Sequence, residues 1–158
     1  MSRHFADAGG LLSQAFEHHY AGSRGDRLER RWLGFATHEV TQSVLHEGQW
    51  RELGRRTISF DNAEHDETLA TSPRAGVPAW ELEQRHDVDT GERFAELREW
   101  GHTVVPTGPL SFRVVTTSTR TRSFEPAGCF GWCNVDELIA TKPLTHAWSS
   151  RSEEHTSE

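Results

Sequence analysis

The stretch from Ala75 to Val105, AGVPAWELEQRHDVDTGERFAELREWGHTVV, constrains the chain most, because its large apolar residues are closely spaced and its breaks are explicit. Val77, Trp80 and Leu82 fall in a first short helical segment running to about Arg85. His86-Asp87-Val88-Asp89 is a polar break, and Thr90 is placed to cap a second helix carrying Phe94, Leu97 and Trp100. Apolar positions three apart share one helix face. Gly101 follows the last of them, where a helix C-terminus favours glycine. Thr103-Val104-Val105, the turn-like Pro106-Thr107-Gly108-Pro109, and Leu110 to Thr117 then predict two strands joined by a short loop.

Helix, turn, helix and hairpin in this order resemble a winged helix-turn-helix module of the small phage and bacterial type, over residues 75–117. Two segments carry the resemblance. Ala79-Trp80-Glu81-Leu82 is similar to the start of that family's second helix, and the run from Arg93 to Val104 is similar to the end of its recognition helix and the start of its wing. The resemblance implies a core of Trp80, Leu82, Phe94, Leu97 and Trp100, and double-stranded DNA as partner. The chain departs from the family at His86, where a leucine is usual, at Glu83, where a small residue is usual, and at Asp87, where a glycine is usual. The expected recognition helix also sets Glu92, Glu96 and Glu99 against Arg93 and Arg98. Carboxylates on a helix entering the major groove are repelled by phosphates.

The formal charge of −7 weighs against non-specific binding of nucleic acid or anionic membrane by the whole chain. The balance is uneven, since Gly101 to Arg122 holds Arg113, Arg120 and Arg122 and no acidic residue. Hydrophobic residues make up 34% of the chain, low enough that part of its length is expected as loop. Basic residues are almost all arginine, with Lys142 the single lysine, a skew that suggests a GC-rich bacterial or phage genome. There is no apolar run of transmembrane length and no hydrophobic signal segment at the N-terminus, so the expected compartment is the cytoplasm. Cys129 and Cys133 are then expected as reduced thiols. Arg151 to Glu158 resembles the in-frame translation of a sequencing adapter, and is set aside from the fold.

The expected fold class is α+β. Phe5, Ala8, Leu11, Leu12, Ala15, Phe16 and His19 recur at helical spacing and predict a helix over 3–20. Leu28, Trp32, Ala36, Val40 and Val44 recur every four residues and predict a longer one over 26–45, ended by Glu47-Gly48. Thr57 to Phe60 reads as a short strand and Asp61 to Arg74 as a linker. The expected organisation is a helical region over 1–60, a linker over 61–74 and a winged-helix-like region over 75–150, with Cys129 to Val135 a possible strand and Val135 to Ala140 a helical turn.

Cys129 and Cys133, four apart, with His102 or His146 elsewhere, form a partial zinc pattern, but no second Cys/His pair stands at standard spacing. The zinc-deaminase pattern fails in both halves, because His38 and Glu39 are adjacent and the cysteines are separated by three residues. His38-Glu39 lacks the second histidine of a metalloprotease motif, since Gln42 occupies that position. His18, His19, His38 and His46 could converge between two helices. Solvated or capping histidines are the plainer account, and no cofactor or catalytic residue is assigned. The leading expectation is a DNA-binding or DNA-complex-associated protein, with Arg93, Arg98, Arg113, Arg120 and Arg122 on phosphates. Its rival is a protein-interaction module presenting Glu92, Glu96 and Glu99, and a metal-dependent enzyme comes third.

Overall fold

Residues Thr37 to Val44 include four β-branched residues, Thr37, Val40, Thr41 and Val44, a composition enriched in pleated, half-buried strands. In the computed structural model, which describes residues 2–7, 13–26, 31–62, 71–87, 89–109, 111–125, 131–141 and 143–150, eight strands and one short helix are found. They are β1 (Ser2–Asp7), β2 (Ser13–Asp26), β3 (Arg31–His46), β4 (Gln49–Phe60), β5 (Pro78–His86), β6 (Arg93–Gly108), β7 (Ser111–Phe124), α1 (Val135–Ile139) and β8 (Thr145–Ser150). The strands form one antiparallel sheet in chain order from β1 to β8. Each neighbour is the next strand in sequence, the order of an antiparallel meander.

The expected α+β fold and its winged helix-turn-helix segment are therefore corrected to a nearly all-β sheet. The reason lies in the spacing. Trp32, Ala36, Val40 and Val44 are four apart, and a step of four returns to one face of a strand as well as to one face of a helix. Glu47-Gly48 does not end a helix. Both residues have positive φ, 50° and 77°, and make the two-residue turn between β3 and β4. The polar break at His86 to Asp89 is also a hairpin turn: the Asp87 carboxylate accepts from the Asp89 and Thr90 amides at 2.9 Å each. The stripe Phe94, Leu97 and Trp100 splits across the sheet, leaving Leu97 buried and Phe94 exposed.

The strands expected over 103–105 and 110–117 are present as the upper parts of β6 and β7, paired through Val104 and Val114, with Leu110 outside the described residues. The helical turn near Val135 is α1, with a capping box in which Asn134 and Glu137 bond each other's backbone amides at 2.8 Å. β4 and β5, on either side of the segment 61–74, are hydrogen-bonded neighbours. Leu11, Leu12, Leu28, Cys129 and the tail 151–158 lie outside the described residues.

One face of β5, β6 and β7 carries the core. Leu82 opposes Leu97, and Ala95 opposes Phe124. Leu138 of α1 and Cys133 close over them, and Trp80 and Val135 pack at the margin. Beneath this cover Gln84, 3% exposed, donates to the Cys133 carbonyl and accepts from the Cys133 amide, both at 2.9 Å. The segment 131–141 is thus pinned to the middle of the sheet.

Two hairpins outrun their neighbours. β1 pairs with β2 only as far as His18, and β4 pairs with β3 only as far as Thr37, so the upper β2–β3 hairpin stands free of other described strands. The β6–β7 hairpin runs past its strand pairing with β5 and β8 beyond Glu99 and Ser118. Alternating strand direction puts both at one end of the sheet, beside the β4–β5 connection. Asn62, 3% exposed, ties that connection down: it donates to the Phe35 carbonyl at 2.6 Å and accepts from the Gly76 amide at 2.7 Å.

Two measurements check this architecture. Far-ultraviolet circular dichroism will show a β spectrum without the helical double minimum. Leu97→Ala will lower unfolding stability by about 3 kcal/mol in urea titration, the cost of truncating a fully buried leucine; a loss within error of zero would remove Leu97 from the core.

Candidate ligand-binding groove

On the face opposite the core, the register sets three rows of side chains across β2 to β6. Tyr20, His38, Ile58, Glu81 and Arg98 form one row; His18, Val40, Arg56, Glu83 and Glu96 form the next; Phe16, Gln42, Gly54, Arg85 and Phe94 form the third. Gly54 leaves a notch in the last row. A Cβ there would stand 3.0 Å from the Gln84 carbonyl, so β4 approaches β5 closely at this point. Around it opens a groove of about 740 Å³. Phe16, His18 and His38 line one wall, Val40, Leu53 and Gly54 belong to the floor, and Arg56, Glu83, Arg85, His86 and Asp87 line the other wall.

His38 of the first wall belongs to a series of ring contacts that runs on beyond the groove. His38 and Tyr20, directly paired across β2 and β3, stand 4.4 Å apart with planes inclined by 3°. His18 meets His38 edge to edge, Nδ1 to Nε2 at 3.0 Å, with the ring planes 15° apart. One ring donates and the other accepts, so the contact requires at least one neutral imidazole. Burial, then the His18 ring, then the Arg56 guanidinium hold His38 below its ordinary value of 6.5, which makes it neutral at neutral pH. Beyond Tyr20 the ring contacts continue to Phe35 at 5.0 Å and on to Trp32 at 5.3 Å.

The second wall is a set of paired charges. Arg56 holds Glu81 through two bonds of 2.9 Å, and this bidentate contact keeps its guanidinium charged. Arg85 bonds Glu83 at 2.8 Å, and Arg98 bonds Glu96 at 2.9 Å. Asp87, bonded by the Thr90 and Asp89 amides, is held below the usual carboxylate range.

The residues expected to contact phosphate are dispersed. Arg93 donates to the Gly131 carbonyl at 2.8 Å, on the core side, while Arg98 stands on the groove side with Glu96. Arg122 is buried, with Glu99 at 2.8 Å and the Phe124 ring below its guanidinium. Arg120 opposes Glu99, and Arg113 is exposed on the β6–β7 hairpin. The acidic helix face is not formed either: Glu92 lies in the β5–β6 turn, and Glu96 and Glu99 face opposite sides of β6.

Of the metal candidates, Cys133 is disulfide-bonded, which corrects the expected reduced thiol. His102 has its two ring nitrogens on the Pro78 carbonyl at 2.8 Å and the Thr116 hydroxyl at 3.2 Å. Among the described residues no group of three His, Cys, Asp or Glu side chains converges as metal ligands would. Of the four histidines considered together, His18 and His38 do meet, across strands, whereas His19 opposes Glu39 and His46 lies at the β3–β4 turn. Sequence reasoning missed Tyr20, Arg56, Gly54 and Gln84, because their roles come from strand pairing. No helix among the described residues is long and apolar enough to cross a membrane. No family model, curated protein or solved structure matches this chain.

A histidine with a depressed folded pKa takes up its proton later than the unfolded chain does. Acidification through the unfolded value therefore favours unfolding, and the loss levels off below the folded value. Stability in urea will fall as the pH is lowered through about 6.5, and His38→Gln will show a smaller fall. An unchanged acid dependence in that variant would place the titration on another group.

Proposed function

We propose that this protein is a binding protein that takes a small polar organic molecule in the groove on β2 to β5. The observation that carries this reading is the pairing of two unlike walls across one notch. Stacked rings present an apolar, polarisable surface, and the Arg56–Glu81 and Arg85–Glu83 pairs present fixed donors and acceptors. A concave site of several hundred Å³ with an apolar wall and a few oriented polar groups is the common form of a ligand site. Its polar groups are already organised by their own pairings, which limits the ordering cost of binding.

A screen of a neutral and charged small-molecule library by protein-observed NMR tests the reading. Hits will move the signals of His38, Val40 and Arg56 together, and Val40→Trp will abolish those shifts while leaving the melting temperature within a few degrees. Hits that survive this plug at full strength would place binding elsewhere.

A second reading is DNA contact through the upper β6–β7 hairpin. It is favoured by one observation: this projecting arm carries exposed Arg113, with no acidic residue from Gly101 to Arg122. A hairpin contacting phosphates in this way binds duplex DNA with an affinity that falls steeply with salt. Arg113→Glu will then weaken binding to random duplex DNA in anisotropy titrations at low salt; equal affinity in wild type and variant would exclude the arm.

A further inference from the structure

We propose, building on the groove reading, that the ligand is a neutral saccharide. The charges around the groove are matched before any ligand arrives. Arg56 is taken by Glu81 and Arg85 by Glu83. Asp87 adds a carboxylate that the turn amides keep ionised, and the neutral His38 adds no cation. An anion such as a nucleotide or a uronate would have to displace a carboxylate from a bidentate partner and would meet Asp87 unshielded. The Arg56–Glu81 contact is bidentate, which fixes its geometry as well as its charge.

A neutral ligand keeps these pairs and uses what they leave over. A carboxylate accepts at more sites than one arginine fills, and a guanidinium has five N–H donors. Glu83, Arg56 and Arg85, which line the groove, therefore still offer acceptors and donors to hydroxyl groups. Gln42, in the row with Phe16 and Gly54, adds an amide that does both. The opposite wall favours a ligand with one apolar face. Tyr20 and His38 are 4.4 Å apart, which leaves no slot for a flat heteroaromatic to enter between them. The ring of Phe16 on this wall offers a face against which the C–H side of a pyranose packs. A pyranose has that combination: an apolar face, a rim of hydroxyls and no charge.

The test titrates the full chain with neutral oligosaccharides (cello-, manno-, xylo- and chito-oligomers) and, in parallel, with oligogalacturonate and adenosine monophosphate. Calorimetry reads affinity, and NMR reads the Phe16, His38 and Arg56 signals. The expected result is that one neutral series binds, moves the groove signals, and does so equally at low and high salt. Phe16→Ala and Gln42→Ala will each weaken that binding by roughly tenfold, the loss of about 1.4 kcal/mol, without a change in far-ultraviolet spectrum. If oligogalacturonate or the nucleotide moves the groove signals and no neutral sugar does, the saccharide assignment fails and the groove reading stands. Silence to every sugar, with hits from the small-molecule screen, has the same consequence. Silence in both experiments overturns both.

Discussion

The structure depends on the exchange of two hydrogen bonds between the Gln84 side chain and the Cys133 backbone. A sheet can satisfy its own backbone ladder, but each face still needs cover. Here the only described cover is the short segment 131–141, which reaches the sheet beside β5. A primary amide that donates and accepts at one place fixes both the position and the direction of that segment. Leu138 and Cys133 then close on Leu82, Leu97 and Phe124, and the buried amide is satisfied on the same contact. A buried polar group with both functions met specifies one docking register, since any shift would leave two backbone groups and one side chain unpaired.

This cover is partial, and the rest of the sheet reflects it. On the core side of β3 and β4 the residues are Thr37, Glu39, Thr41, Arg55, Thr57 and Ser59, polar groups suited to a solvated face. Trp132 is the outermost reach of the covering segment: its indole donates to Glu52, and Arg55 lies over its ring at 5.6 Å. On the opposite side of the sheet no large apolar cluster is buried among the described residues, and the row of arginine and glutamate pairs and the ring contacts share it. A groove forms where Gly54 interrupts those rows. Its location therefore follows from the same asymmetry that confines the core to β5, β6 and β7.

What the sequence made legible was local. The breaks at Asp87 and at Glu47-Gly48, the hairpin near Val104 and Val114, and the helical turn from Val135 each depend on a few adjacent residues, although the two breaks are hairpin turns and not helix boundaries. Strand against helix was not legible from apolar spacing, because steps of four in β3 satisfy both periods. The better signal lay in the polar residues between: Thr37, Glu39, Thr41 and Ser43 recur at a period of two, on the face away from Val40 and Val44. Similarly, Ala95 and Leu97 are two apart and buried, whereas the larger Phe94 and Trp100 drew attention to a spacing that the fold does not use.

The groove was not legible because its members lie on four strands, and the register that joins them is set by turns and a bulge. His18 and His38 are twenty residues apart, and nothing in either neighbourhood marks them as partners. They meet because the β2–β3 pairing puts Tyr20 against His38 and His18 against Val40, so the imidazoles become diagonal neighbours. Arg56 reaches Glu81 by the same diagonal rule between β4 and β5, where its direct partner is Glu83. Charges that look abundant along the chain are thus largely cancelled across it. The ring stack is the feature that pairing does not cancel, and it runs from His18 through His38, Tyr20 and Phe35 to Trp32, which is 65% exposed at its far end. Positive φ at Gly22 and Gly34 allows the upper hairpin to bend so that Phe35 meets Tyr20. The arginines and glutamates described on this face are paired with one another, so the formal charge of −7 is not concentrated there.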